Sequence, residues 1–332
     1  MKTRLTQFLW KWAFAIAGLC AGLFIFAKID GFLDQAKLDF LSFPCLKVED
    51  GRHHSMLPGC SGVLFDNGRT ISFTINEDGM RDQPRKRILE QKKRVFVLGD
   101  SQVFGSRMEY SQTISSLLRE KFPEWYFING GLPFSGSLFQ AKSFADSYKI
   151  YQPEKILWIV DEFFPQQDRM ACALLRDPKA SAEQMHFQAL DLGRVPDFFL
   201  SFGDKNILLE AARGVLQRRR EQEMLRSKNA DRCNKCEGFL AISKWKKKHG
   251  SNILALLLER GEGDRQEASH SNSTELSACL RSSGIPFFSF DRYKLFPGLD
   301  RKTFAREPME SGELLAFIEA SKPVLKRWLT EE

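Results

Sequence analysis

Between Arg94 and Gly105 the chain reads Arg94-Val-Phe-Val-Leu-Gly-Asp-Ser-Gln-Val-Phe-Gly105. The apolar run Val95 to Leu98 predicts a buried strand. Gly99 breaks it, Asp100-Ser101 form a polar turn, and a helical segment is expected over Ser111 to Lys121, with Ser111 or Thr113 as its cap. A serine at the carboxyl end of a strand stands where open parallel sheets bind ligands. That makes Ser101 a candidate nucleophile. A plain solvated turn is the other reading of the same residues. Ester hydrolysis by serine also needs a base to take the proton and donors aimed at the oxyanion. The elements around Ser101 must supply both.

Those elements alternate regularly. Strands are expected at Val95–Leu98, Trp125–Ile128, Ile156–Val160, Ile253–Leu258 and Pro286–Phe290. Helices are expected at about Ser137–Ile150, Ser273–Ser283 and Ser311–Leu329. Ile156–Val160 is continuously apolar, as a strand covered on both faces should be. Strands alternating with helices predict an α/β fold, a three-layer αβα sandwich with a parallel sheet of about five strands. Right-handed crossovers bring the carboxyl ends of all its strands to one edge.

Three stretches together resemble the bacterial SGNH/GDSL hydrolases: Ile75-Asn-Glu-Asp-Gly-Met-Arg-Asp82, Val97-Leu-Gly-Asp-Ser-Gln-Val-Phe-Gly105 and Ile128-Asn-Gly-Gly-Leu-Pro133. The resemblance covers about residues 71 to 165 and implies a serine esterase with Ser101 as nucleophile. It makes Gly131 the oxyanion glycine, whose missing side chain would let backbone approach a substrate. The family's third block carries an asparagine, where this chain has Asp161-Glu162. A carboxylate there repels the charge it should stabilise unless it is protonated, and Gln166 or Gln167 is a substitute amide. The family's late Asp-x-x-His has no counterpart. Counting back from Gly312 puts Glu307 at the histidine and Ala305 at the aspartate. The histidines are His53, His54, His186, His249 and His270. His270 follows the fourth strand on the correct edge and is the candidate base. His53 and His54 fall in a segment that reads as loop, Pro44 to Gly68, ahead of a strand at Thr70–Ile75. No cofactor and no metal is implied.

The rest of the chain concerns location. Lys2, Arg4 and Lys11 precede an apolar run from Trp12 to Ala27, the charge order of a targeting segment. Counted back to Phe8, it reaches the roughly 20 residues of a membrane span. We read residues 1–29 as a cytoplasmic tail and uncleaved transmembrane signal anchor, with a cleaved signal as the alternative. Residues 30–93 read as a stalk and lead-in strand, and 94–332 as the α/β domain, with a helical insertion at about 164–250. The bulk of the chain would then be extracytoplasmic, periplasmic or at the cell surface. Six cysteines outside the apolar run fit disulfides in an oxidising compartment. Cys45 with Cys60 would close a short loop, while Cys233-x-x-Cys236 could be a redox pair, half a zinc site or part of a structural disulfide.

Lys205 to His249 holds 13 lysines and arginines against 5 acids, a net of +8, beside +7 for the whole chain. Such an excess outside the cytoplasm favours anionic lipid headgroups or acidic envelope polymers rather than nucleic acid. Two function classes follow. One is an extracytoplasmic ester hydrolase or acyl-transferring enzyme acting on acylated lipid or envelope carbohydrate. The other is a catalytically inactive, membrane-anchored binding or assembly protein.

Overall fold

A computed structural model of the chain describes residues 45–49, 53–66, 69–162, 164–176, 236–259, 267–295 and 311–331. Its centre is a five-stranded parallel sheet built from β5 (Arg94–Gly99), β6 (Tyr126–Gly131), β7 (Lys155–Asp161), β8 (Asn252–Glu259) and β9 (Phe287–Asp291), in the order β6-β5-β7-β8-β9. Before it come two antiparallel pairs. The first is β1 (Leu46–Glu49) with β2 (His53–Met56); the second is β3 (Ser61–Asp66) with β4 (Arg69–Thr74). The segment expected to be loop is thus largely strand, and His53 and His54 lie on β2, opposite Glu49 and Val48. Gly, Pro and Cys hid these strands, because in so short a run the punctuating residues mask the alternation.

The helices in chain order are α1 (Arg85–Leu89), α2 (Ser101–Phe104), α3 (Ile114–Lys121), α4 (Ser137–Tyr151), α5 (Phe164–Arg176), α6 (Glu237–His249), α7 (Glu267–Ser283), α8 (Arg292–Leu295) and α9 (Ser311–Thr330). The predicted 111–121 helix begins later, because Tyr110–Gln112 is a 3-10 turn and Thr113 caps α3, accepting from Ser116 N–H at 3.3 Å. Strand pleating sorts the core into two layers. Val95, Val97, Phe127, Leu157, Ile159, Leu254 and Leu256 face α2, α3 and α9. Phe96, Leu98, Ile128, Trp158, Val160, Ala255 and Leu257 face α4, α6 and α7. Sheet between two helical layers is the expected sandwich.

Two features of the predicted insertion are visible. Both of its described ends pack on the sheet: Phe164 of α5 and Phe239 and Ile242 of α6 are fully buried against the second layer. Cys236, at the start of α6, is bonded to Cys279 of α7, so it is not paired within Cys233-x-x-Cys236. Cys45 is bonded to Cys60, and Cys172 is also in a disulfide, with a partner outside the described residues. Among the described residues no helix is long and apolar enough to cross a membrane. The expected anchor, Trp12–Ala27, lies outside them, as do the basic stretch 205–235, His186 and Glu307.

Candidate active site

Sheet order places the site. Read along the chain, the five parallel strands run 2-1-3-4-5 across the sheet, and such a sheet has its switch point between the first and third strands. Here these are β5 and β7. Chain direction reverses around that seam, so the loops leaving the two strands part and open a crevice at their carboxyl ends. Ser101 leaves β5, and Asp161 ends β7. In the ladder Leu98 stands opposite Trp158, and Ser101 and Asp161 each lie three residues beyond that pair.

Ser101 is the first residue of α2, and Asp100 is its N-cap, accepting from Gln102 N–H at 2.9 Å. At that position the Ser101 N–H has no partner within the helix, so it is available to an anion. The turn closes tightly: Gly105 N–H donates to Ser101 O at 2.9 Å, and Ser106 N–H donates to the same oxygen at 3.2 Å. Gly105 ends the turn in the left-handed region, φ 77°, which glycine adopts without strain. Ser101 is partly exposed, whereas Gln102, Val103 and Phe104 behind it are buried. Among the described residues, none makes a hydrogen bond with Ser101 Oγ.

Gly131 sits at the same edge, paired with Gly99 at the end of β6. Its chemistry differs from expectation. Its N–H donates to Asn129 Oδ1 at 3.0 Å, so that donor is already used. A side chain there would come within 2.1 Å of Phe104 N and 2.6 Å of Val103 C. The packing of α2 directly on β6 by itself requires glycine here. Just beyond, Phe134 holds a left-handed backbone, φ 60°, a conformation that costs a side-chain-bearing residue about 1 kcal/mol or more and concentrates at functional sites. Nothing in the sequence marks it.

Asp161 is 3 % exposed and Asp100 5 % exposed. Burial first, then repulsion from Asp161, pushes the Asp100 carboxyl up to about 7, against the opposing bonds from Gln102 N–H and the Gln167 side chain. Gln167, expected as a substitute oxyanion amide, is hydrogen-bonded to Asp100. Its neighbour Asp168 accepts from Ser137 Oγ at 2.6 Å and Leu138 N–H at 2.9 Å, at the start of α4. Burial pushes Asp168 up to about 7 as well. Through these two residues α5 ties the turn after β5 to the loop after β6. His270 is the fourth residue of α7, the helix that follows β8. Its backbone therefore enters from the carboxyl edge, one strand beyond β7.

The deepest support is the adjacent pair Arg81 and Asp82. Arg81 is 1 % exposed, and donates to Phe104 O at 3.2 Å, to Gly105 O, and to Met108 O at 2.7 Å. Asp82 accepts from Arg119, Tyr110 Oη, Tyr126 Oη and the N–H groups of Asn129 and Gln83, all between 2.6 and 2.9 Å. Burial and the neighbouring Asp82 carboxylate push both phenols up. The lead-in segment thus fastens the ends of α2, α3 and β6 together.

No family model matches the chain, and no curated protein matches it. Among solved structures it is similar to the psychrotrophic esterase EstA from Pseudoalteromonas sp., at 10% identity over 72% of this chain and 100% of that one, TM-score 0.43. It is similar to AlinE4, an SGNH-hydrolase family esterase, at 8% identity over 72% of this chain and 98% of that one, TM-score 0.37. A lipase/acylhydrolase from Enterococcus faecalis is similar at 13% identity over 70% of this chain and 97% of that one, TM-score 0.39.

Proposed function

We propose that this chain is a divergent SGNH-type serine ester hydrolase or acyl-transferring enzyme, with Ser101 as nucleophile. The observation that carries the reading is the placement of Ser101. It opens a helical turn at the carboxyl end of β5, at the switch point of the sheet, where its backbone N–H has no partner within the helix. His270, the fourth residue of α7, is the base we propose. The resemblance in Val97–Gly105 supports the same assignment.

The proposed setting is extracytoplasmic, anchored by the apolar segment at Trp12–Ala27. Cys45–Cys60, Cys236–Cys279 and the disulfide at Cys172 support it, because such bonds persist in oxidising compartments. The substrate class proposed is acylated lipid or envelope carbohydrate, and the partners are membrane lipid and, at the basic stretch, anionic lipid or polymer. A second reading is an inactive binding or assembly protein of the envelope. The lack of a late Asp-x-x-His in the sequence favours it.

Hydrolysis of short-chain p-nitrophenyl esters by the full chain in detergent separates the two. The active reading expects turnover that falls at least about 1000-fold in Ser101→Ala, and comparably in His270→Ala. A folded wild-type protein no faster than Ser101→Ala sinks the enzyme reading. Activity retained in His270→Ala removes that histidine alone.

A further inference from the structure

A buried arginine normally meets a carboxylate. Among the described residues Arg81 does not: its hydrogen-bond acceptors there are three backbone carbonyls, those of Phe104, Gly105 and Met108. They belong to the end of the turn that begins with Ser101 and to the loop just beyond it. Glu109 acts on Arg81 only through its charge at a distance. The guanidinium lies against the rings of Phe73 and Phe104, 5.6 and 5.4 Å from their centroids. Those rings meet edge to face at 5.5 Å. The cation is thus held in place by aromatic faces and spends its fork on main-chain oxygens.

The consequence reaches Ser101 through two short links. Gly105, whose carbonyl Arg81 holds, returns its N–H to the Ser101 carbonyl at 2.9 Å. On its other side α2 is pressed on Gly131, with no room for a methyl group between them. The turn is therefore clamped twice, by contact with β6 and by the Arg81 fork at its carboxyl end. A lysine could not replace the fork, since its ammonium is a single point and the carbonyls are reached from two guanidinium nitrogens.

We propose that Arg81 is the positioning residue of the nucleophile: by holding the carbonyls that end the Ser101 turn, it sets the direction of Ser101 Oγ and of the Ser101 N–H. The inference rests on Ser101 being the nucleophile. It also makes the lead-in segment before β5 part of the catalytic apparatus. Arg81 is too deeply buried to meet substrate, so its loss acts on turnover and not on substrate binding.

The test uses the full chain in detergent, with Arg81→Lys, Arg81→Ala and, as a matched control, Arg85→Met. Arg85 lies four residues on and is bonded to Asp78, away from the Ser101 turn. We expect kcat to fall about 100-fold in both Arg81 variants, the scale for a misplacement of about 1 Å, with KM unchanged. Arg85→Met keeps its kcat. Millimolar methylguanidinium restores part of the lost rate to Arg81→Ala and none to Ser101→Ala. Should Arg81→Ala not fold, Arg81→Lys carries the kinetic comparison. Amide hydrogen exchange gives a readout that needs no activity: protection is lost over 100–108 in Arg81→Lys and kept in β7 and β8. A raised KM with normal kcat, a loss equal to that of Arg85→Met, or unchanged exchange over 100–108 overturns the proposal. An inactive wild type defeats the enzyme reading instead, and the exchange result then decides whether Arg81 orders the turn.

Discussion

Asp82 and Asp100 are the same side chain in opposite surroundings. Asp82 lies beneath the ends of α3 and β6, where one guanidinium, two phenols and two backbone N–H groups converge on it. Asp100 lies beside Ser101, where among the described residues the charged group that acts on it most is another carboxyl, Asp161. Burying a charge is tolerable where opposite charge and donors replace water. In the scaffold they do. At the crevice the compensation is incomplete, and Asp100 responds by holding its proton up to about pH 7. The difference separates what holds the turn from what surrounds its chemistry. A buried carboxyl with a raised pKa, Asp100, stands at the switch point, where function is expected.

The contrast can be broken most sharply at Asp82. Asp82→Ala leaves the half-buried Arg119 opposite two phenols with no carboxylate, and since removing one partner of a fully buried pair costs about 3–5 kcal/mol, a loss of about 2–4 kcal/mol is expected. Urea unfolding monitored by tryptophan fluorescence reads this directly. A loss below about 1 kcal/mol would mean that the matched network is not what supports the α3 and β6 ends.

Asp100 gives an effect of different sign. Its folded-state carboxyl titrates near 7, well above its ordinary value of 3.8. Between those values the folded protein holds more protons than the unfolded chain, so stability falls as pH rises through that window. Asp100→Asn keeps the oxygen that caps α2 and removes the titration, so the fall between about pH 4 and pH 7 becomes shallower. Asp168, raised to about the same value for the same reason, supplies the residual slope. Unfolding curves at half-unit pH intervals check this; parallel profiles for wild type and Asp100→Asn would remove the distinction between the two aspartates.

A third site sets the baseline. Lys149 and Asp146 pair at 2.9 Å, with side chains 68% and 75% exposed. Such pairs contribute well under 1 kcal/mol, so Lys149→Ala should shift unfolding by no more than about 0.5 kcal/mol. A larger shift would show that exposed charges on α4 matter to its docking, and would blur the line drawn between buried and exposed networks.

Much of this architecture was legible in the residues themselves. Val95–Leu98 and Ile156–Val160 announce buried strands, because a strand covered on both faces must be apolar without interruption. Thr113 announces a cap, because its hydroxyl can satisfy an N–H left open by the first turn. Ser101 was found for the same reason: strand, glycine and polar turn are adjacent in the chain. These signals arise between neighbours, and a sequence records neighbours.

What was missed depends on residues that meet only after folding. Arg81 finds its carbonyls 23 to 27 positions away, and Asp82 finds Asn129 at 47. Gly131 looked like a glycine for a substrate, and only the packing of α2 on β6 shows what it makes room for. Cys236 has a nearer candidate in Cys233, yet bonds to Cys279, because α6 and α7 lie side by side on one face of the sheet. The residue types and their local order determined the strands, the cap and the candidate serine. Strand order decided the rest, since it alone brings the ends of β5 and β7 to one crevice and sets the buried carboxyls of Asp100 and Asp161 within each other's influence.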